Sequence, residues 1–385
     1  MHFKRDLTLQ MDQLIQSLSY PIGFAIVLGI VVFVHEFGHY WVARRCGVTV
    51  ETFSIGFGPE IFGWTAKSGT RWKVSLLPLG GYVKMYGDAD ATSAGGIAAD
   101  DPATGKVSFH GRPVKARAAI VAAGPVFNFI YAIVALAALY MIWGQQTTPA
   151  VIGTVLENSP AAAAGLEPGD RVTGVDGRAV TRFEDLQTAV VAGNGQPVTL
   201  EVDRDGRVIS MSLTPEMVSV DDRFGNTHQM PRIGISASGT EWVRQGPVEA
   251  VTGAVRETVS IVAMTFGAVG EMIAGTRGTE ELAGVIGIAQ MSGEVVRMSV
   301  ATVIWFTAML SINLGLINLL PVPLLDGGHL AFYAAEAARG RPLSQRAQEY
   351  GFRFGLVLVL TLMIVATWND LVRLRVVDYL AGLFT

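Results

Sequence analysis

The chain has 385 residues, half of them hydrophobic and only 16% charged, and its mean hydropathy is +0.40; this is too apolar for an ordinary soluble protein and predicts an integral membrane protein with a water-exposed part. A net charge of −4 and a pI near 5.9 leave no basic surplus, which excludes nucleic acid as a partner. Cys46 is the only cysteine, so no internal disulfide can form.

Lys4 and Arg5 precede a long apolar run, the opening of a secretory signal. No small-residue cleavage pattern follows, the run is long enough to span, and it carries candidate ligands, so it reads as a retained first span over residues 21–43. Within it His35, Glu36 and His39 form an H-E-x-x-H motif. A helix places residues four apart on one face, so both imidazoles can reach one metal ion while Glu36, one step round, meets the water bound there. Ionisable groups in hydrocarbon are costly unless paired, metal-bound or facing a wet cavity, and a chance pair of helix-packing histidines accounts poorly for three in one span.

The loop over residues 44–117 holds ten Lys/Arg and is cytoplasmic by the positive-inside rule. Its segments 50–58 and 71–85, within a region of about 48–90, are β-prone and punctuated by Gly56, Gly58, Gly80 and Gly81. They predict a re-entrant sheet edge, with Gly56, Phe57 and Gly58 as substrate contacts; the plainer alternative is a cytoplasmic hairpin. A second span follows at 118–143.

Residues 146–240 read as a soluble insert. A strand at 152–156, a helix start capped by Ser159 with Pro160 and ended by Gly165, a hairpin at Asp176-Gly177, a helix near 183–191 and alternating strands around Asp205-Gly206 follow in order. With SPAAAAGLEPGDRVTGVDG this order resembles a circularly permuted bacterial PDZ domain. Such a domain either captures an extended peptide by strand addition or serves as a spacer that blocks bulky substrates. Residues 241–298 read as amphipathic interfacial helices, since 258–270 is only 13 uncharged residues between Glu257 and Glu271.

A third span covers about 299–325 and a short fourth about 354–369, separated by a loop with four arginines. With four spans the first and third run in the same direction, so His35, His39 and Asp326 meet at one leaflet, toward the cytoplasm, and the insert faces the periplasm. Two histidines leave a catalytic zinc one protein ligand short. Asp326 follows Pro321 and Pro323, which forbid regular helix and point to a protein-lined cavity at that depth. His329 competes for the role, although an interfacial histidine opening the next helix is its simpler reading. Asn318 is a candidate substrate or oxyanion donor, or else a polar residue joining helices.

HEFGH at 35–39, SIGFGP at 54–59, PLGGYVKM at 78–85, GPVFNF at 124–129 and NLLPVPLLDGGHL at 318–330, in this order over nearly the whole chain, resemble the site-2 intramembrane metalloproteases, in their bacterial regulator-of-sigma-E branch. The resemblance implies a polytopic α-helical membrane protein with four transmembrane helices, a membrane-associated β-hairpin region and an inserted α+β PDZ-like domain. It implies zinc on His35, His39 and Asp326, Glu36 as base, and Asn318 in substrate handling. The implied substrate is a single-pass membrane protein of the bacterial inner membrane, an anti-sigma factor after a first periplasmic cut or a remnant signal peptide. One departure stands out: that branch commonly carries two PDZ domains in tandem, whereas this chain has length for one, followed by residues 222–226 and a strand-like 232–236. The competing classes are a zinc-handling transporter, which has no need of Glu36, and a membrane-anchored PDZ scaffold with a vestigial site.

Overall fold

The computed structural model describes residues 2–88, 99–221, 227–279 and 282–374; residues 222–226, noted above as following the segment that resembles a PDZ domain, lie outside them. The chain divides into two compact units, residues 1–139 with 248–385, and residues 140–247.

The first unit begins with α1 (His2–Arg45), whose apolar half carries the H-E-x-x-H motif. Then β1 (Val50–Thr65) and β2 (Arg71–Met85) form a two-stranded sheet with several register shifts. Phe53 lies opposite both Val83 and Trp72, so the first half of β1 runs between the two ends of β2. Such folding back requires sharp local bends, and glycines with positive φ at Gly56, Gly58 and Gly80 supply them. The outer part of this sheet exposes Ile61, Phe62, Trp64, Leu76, Leu77 and Leu79. An apolar surface of that size suits lipid rather than water.

α2 (Val114–Ile142) continues the unit. The second unit then opens with β3 (Gln145–Thr147), β4 (Ile152–Val155), α3 (Pro160–Ala163), β5 (Arg171–Val175), β6 (Arg178–Ala179) and α4 (Phe183–Ala192). It closes with β7 (Val198–Arg204), β8 (Arg207–Leu213), β9 (Glu216–Asp221), β10 (Thr227–Arg232), β11 (Ile235–Ala237) and β12 (Glu241–Val243). A four-stranded sheet in the order β6-β5-β7-β8 stands beside the pairs β4/β11, β9/β10 and β3/β12. Alternation along β7 buries Val198, Leu200 and Val202 against Val172, Val175, Leu186 and Val190. The hairpin at Asp176-Gly177 has positive φ at both central residues, as does Asp205-Gly206, the conformation that matches strand twist in two-residue loops. Ser159 accepts a hydrogen bond from the Ala162 N–H and caps α3. β3 and β12 pair, placing the incoming and outgoing chain of the unit side by side.

The first unit resumes with α5 (Pro247–Ile273), α6 (Val285–Met298), α7 (Val300–Leu319), α8 (Asp326–Arg339) and α9 (Gln345–Arg373). Among the described residues, four helices are long and apolar enough to cross a membrane: Ser19–Arg45, Val114–Ile142, Val300–Leu319 and Arg346–Arg373. α7 stops at Leu319, short of the span end at 325 that hydropathy suggests, because Pro321 and Pro323 cannot continue a helix. α9 extends well beyond 354–369 at both ends, where Arg346, Arg353, Asp370 and Arg373 make hydropathy underestimate a regular helix. α5 is a 27-residue helix with Glu249, Arg256, Glu257 and Glu271 spread along it. Buried Asp370 of α9 accepts from the N–H groups of Gly284, at 3.1 Å, and Gly287, at 2.9 Å. It thereby caps α6 from a distant part of the chain.

Candidate metal centre

α1 presents His35 and His39 on one face, with Nε2 atoms 3.3 Å apart. Asp326 opens α8 and brings Oδ2 to 3.2 Å from His35 Nε2 and 3.5 Å from His39 Nε2. Among the described residues, this is the group of three or more His, Cys, Asp or Glu side chains able to share one ion. The local sequence explains how the carboxylate arrives. After α7 the two prolines force a reverse bend in which Leu324 adopts φ +105°, a conformation a leucine rarely takes. Gly327 and Gly328 then let α8 start against this bend, since a Cβ at Gly327 would collide with the Leu319 and Leu320 carbonyls and one at Gly328 with Val322 and Pro323. The bend-and-glycine unit is what carries Asp326 to the histidines.

The donor set fits zinc. A tetrahedral zinc with bonds of about 2.0–2.1 Å keeps its ligand atoms about 3.3 Å apart, and the three separations here lie close to that spacing. His39 Nδ1 is 2.9 Å from the Ile120 carbonyl, which can only accept; the hydrogen-bond network therefore assigns the proton to Nδ1 and leaves Nε2 a bare lone pair. Asp326 Oδ2 is buried and has no hydrogen-bond partner among the described residues despite its nearness to both rings. That oxygen faces the His39 lone pair at 3.5 Å, a repulsive pairing that a cation would resolve.

Neighbouring helices shape the pocket by close approach. A Cβ at Gly124 of α2 would collide with His39 Nε2 and crowd His35 Cε1, and one at Gly38 would strike the Ala123 carbonyl. Gly315 of α7 lets Pro125 and Asn128 of α2 come near, and Ser311 donates to the Asn128 carbonyl at 3.0 Å. Arg117 of α2 binds Glu336 of α8 at 2.7 Å and lies over Tyr333, fixing the far end of the helix that carries Asp326.

Glu36 is half-buried beside the two histidines, and its Cγ lies against Gly81 of β2. Gly56, Phe57 and Gly58 lie on β1, where Phe57 is opposite Leu77 and stacks on Tyr82. Of the sheet's glycines, Gly81 is thus the one beside the glutamate. Asn318 is half-buried on the last turn of α7, and its side chain makes no hydrogen bond among the described residues. His329 does not join the triad; its ring lies 5.4 Å from Phe352 and 6.5 Å from Tyr333. Asn128, whose amide is 3.1 Å from His35 Nδ1, did not emerge as a site residue from sequence, although it lies inside GPVFNF; no local pattern links two residues 93 positions apart.

Two buried histidines and a part-buried aspartate with an adjoining glutamate, the His and Glu on a helix of membrane-spanning length and the aspartate just past the end of another, form the donor set of a metal-dependent hydrolase. Comparison with known proteins specifies the class. The pattern of Peptidase family M50 matches residues 23–362, and the chain belongs to that family, the site-2 proteases. A protein of Agrobacterium fabrum named as a zinc metalloprotease is 44% identical over 360 residues, covering 92% of this chain and 96% of the relative. Metalloprotease MmpA of Caulobacter vibrioides is 37% identical over 390 residues, covering 94% of this chain and 98% of its own. Among solved structures, the PDZ domain of the SdrC-like protein from Listeria monocytogenes is 21% identical and covers 23% of this chain and 87% of its own, with a TM-score of 0.19.

Proposed function

We propose that the protein is an integral membrane zinc metalloprotease that hydrolyses a peptide bond in the transmembrane segment of a single-pass membrane protein. The observation that carries the reading is the near-equilateral triangle of His35, His39 and Asp326 with Glu36 alongside, the histidines and glutamate on a helix apolar enough to span and the aspartate just past the end of another. His35, His39 and Asp326 would hold the metal. Zinc, when bound, supplies a Lewis acid and brings the pKa of its water toward neutrality. Glu36 accepts the water proton as the carbonyl is attacked and returns it to the leaving amine. Asn318, an amide with no partner among the described residues, donates to the developing oxyanion.

A helical substrate hides its carbonyls, and lipid offers freed backbone groups no replacement. The β1/β2 sheet supplies one, pairing with unwound substrate near Gly56–Gly58 and near Gly81 beside Glu36. The substrate class is an anti-sigma factor already shortened outside the membrane, or a remnant signal peptide. The unit at 140–247 is a PDZ-like module on the periplasmic side of the inner membrane that excludes uncut substrates, with the metal toward the cytoplasm.

The test is zinc analysis and cleavage of a transmembrane test substrate by purified wild type beside Glu36→Gln. Retained zinc with cleavage reduced by about 10²–10⁴-fold, the usual size of a lost acid–base group, is the expected result. Undiminished cleavage by Glu36→Gln would remove the glutamate from the chemistry, and wild type that binds zinc without cleaving would remove the proteolytic reading itself.

A further inference from the structure

The two histidines are oriented by different means. His39 is fixed by a backbone carbonyl, that of Ile120, at 2.9 Å. His35 meets only a side chain at its Nδ1: the fully buried amide of Asn128, at 3.1 Å. The nitrogen end of that amide faces the ring, while Asn128 Oδ1 is buried with no partner among the described residues. In this orientation His35 Nδ1 is the acceptor, so a neutral ring carries its proton on Nε2, the atom 3.2 Å from Asp326 Oδ2. A ring so protonated cannot offer Nε2 to a cation.

We infer that Asn128 is a positioning residue that selects the His35 tautomer: in the zinc-bearing protein its amide is turned by half a rotation, so that Oδ1 accepts from His35 Nδ1–H. The rotation gives Oδ1 the partner it lacks and turns Nδ2 into the place Oδ1 leaves. It also frees the Nε2 lone pair to point at the ion, matching His39. The scaffold allows the amide little other movement. Asn128 is on α2 where Gly315 of α7 comes within contact of its Cβ, and its own carbonyl accepts from Ser311 at 3.0 Å. An acceptor behind a metal-bound imidazole fixes its tautomer and raises its basicity, and losing one costs about 10–100-fold in metal affinity.

The inference rests on the triad being a zinc site, and its test separates the two ideas. Zinc affinity of the full chain in detergent is measured by competition with a chelator for wild type, Asn128→Asp and Asn128→Leu. An acceptor role predicts that Asp binds zinc at least as tightly as wild type, whereas Leu, similar in volume and unable to accept, loses about 10–100-fold. A packing role predicts the opposite order, because Leu fills the space and an added buried carboxylate disrupts it; that order overturns the inference. Should neither variant fold, the tautomer itself decides: histidine ¹⁵N spectra of zinc-loaded wild type should show His35 protonated at Nδ1, and protonation at Nε2 would refute it. Wild type that binds no zinc sinks the metal site as well, whereas wild type that binds beside an equally tight Leu variant sinks only the role of Asn128.

Discussion

The two compact units follow opposite rules of burial. In residues 140–247 the core is a conventional apolar cluster of Ile152, Val172, Leu186, Leu200 and their neighbours, with the capping Ser159 and the ion-paired Asp170 as buried polar groups beside it. In the other unit large apolar side chains such as Ile130, Val134, Phe354 and Ile364 are exposed, while His35, His39, Asn128, Ser311 and Asp370 are buried. The second pattern is what a lipid solvent asks for: apolar surface needs no hiding there, and polar groups must find partners inside. Burial therefore means stability in one unit and chemistry in the other, and substitutions should sort accordingly.

The sharpest way to break that contrast is Gly124→Ala. A methyl there is a trivial change for helix stability, where alanine is favoured over glycine by about 1 kcal/mol, yet it would collide with His39 Nε2. Zinc content and cleavage should both fall to background while the protein remains helical. An active, zinc-loaded Gly124→Ala would mean that the pocket yields more readily than close-packed helices do.

A smaller effect is expected from removing residues 149–238. The β3/β12 pair, reinforced by Gln245 donating to Gln145 Oε1 at 2.6 Å, already holds the two stubs together. Cleavage of a substrate shortened in advance should survive, and the intact substrate should now be cut at a comparable rate. If the intact substrate still requires a first cut, the unit is not a size filter and the peptide-capturing alternative gains weight.

The same contrast explains what could be read from sequence. His35, Glu36 and His39 were legible because helical periodicity alone fixes their relation, and Asp326 because two prolines next to a carboxylate at membrane depth are otherwise unaccountable. In the second unit the Asp-Gly turns and the alternation of Val198, Leu200 and Val202 encode their own geometry locally. Asn128 behind His35, Gly81 against Glu36 and Asp370 capping α6 were not legible. Each is a pairing of elements distant in sequence, and each depends on register between helices or strands that no periodicity records. The doubling back of β1 between the ends of β2 belongs with them: glycines announced bends but not which edges would meet.

The smallest predicted effect lies in the second unit, where a buried charge serves stability alone. Arg204 donates to Asp170 Oδ1 from Nε and to Oδ2 from a terminal nitrogen, both at 2.7 Å, and the Glu167 N–H adds a third bond at 2.9 Å. The Arg204 guanidinium thus holds the Asp170 carboxyl below its ordinary value. Because the folded pKa is depressed, the stabilisation is fully present above the unfolded value of about 3.9 and is lost as pH falls through the lower folded value. Asp170→Asn should therefore destabilise this unit by about 1–3 kcal/mol at neutral pH, the cost of leaving a buried donor short of its acceptor. The deficit should shrink under acid, as the wild type loses the same interaction. Hydrogen exchange of the β5 and β7 amides in the full chain reads this directly, with zinc content and cleavage of the shortened substrate unchanged. A fall in either would show that the two units are energetically coupled, and that the division between burial for stability and burial for chemistry is drawn in the wrong place.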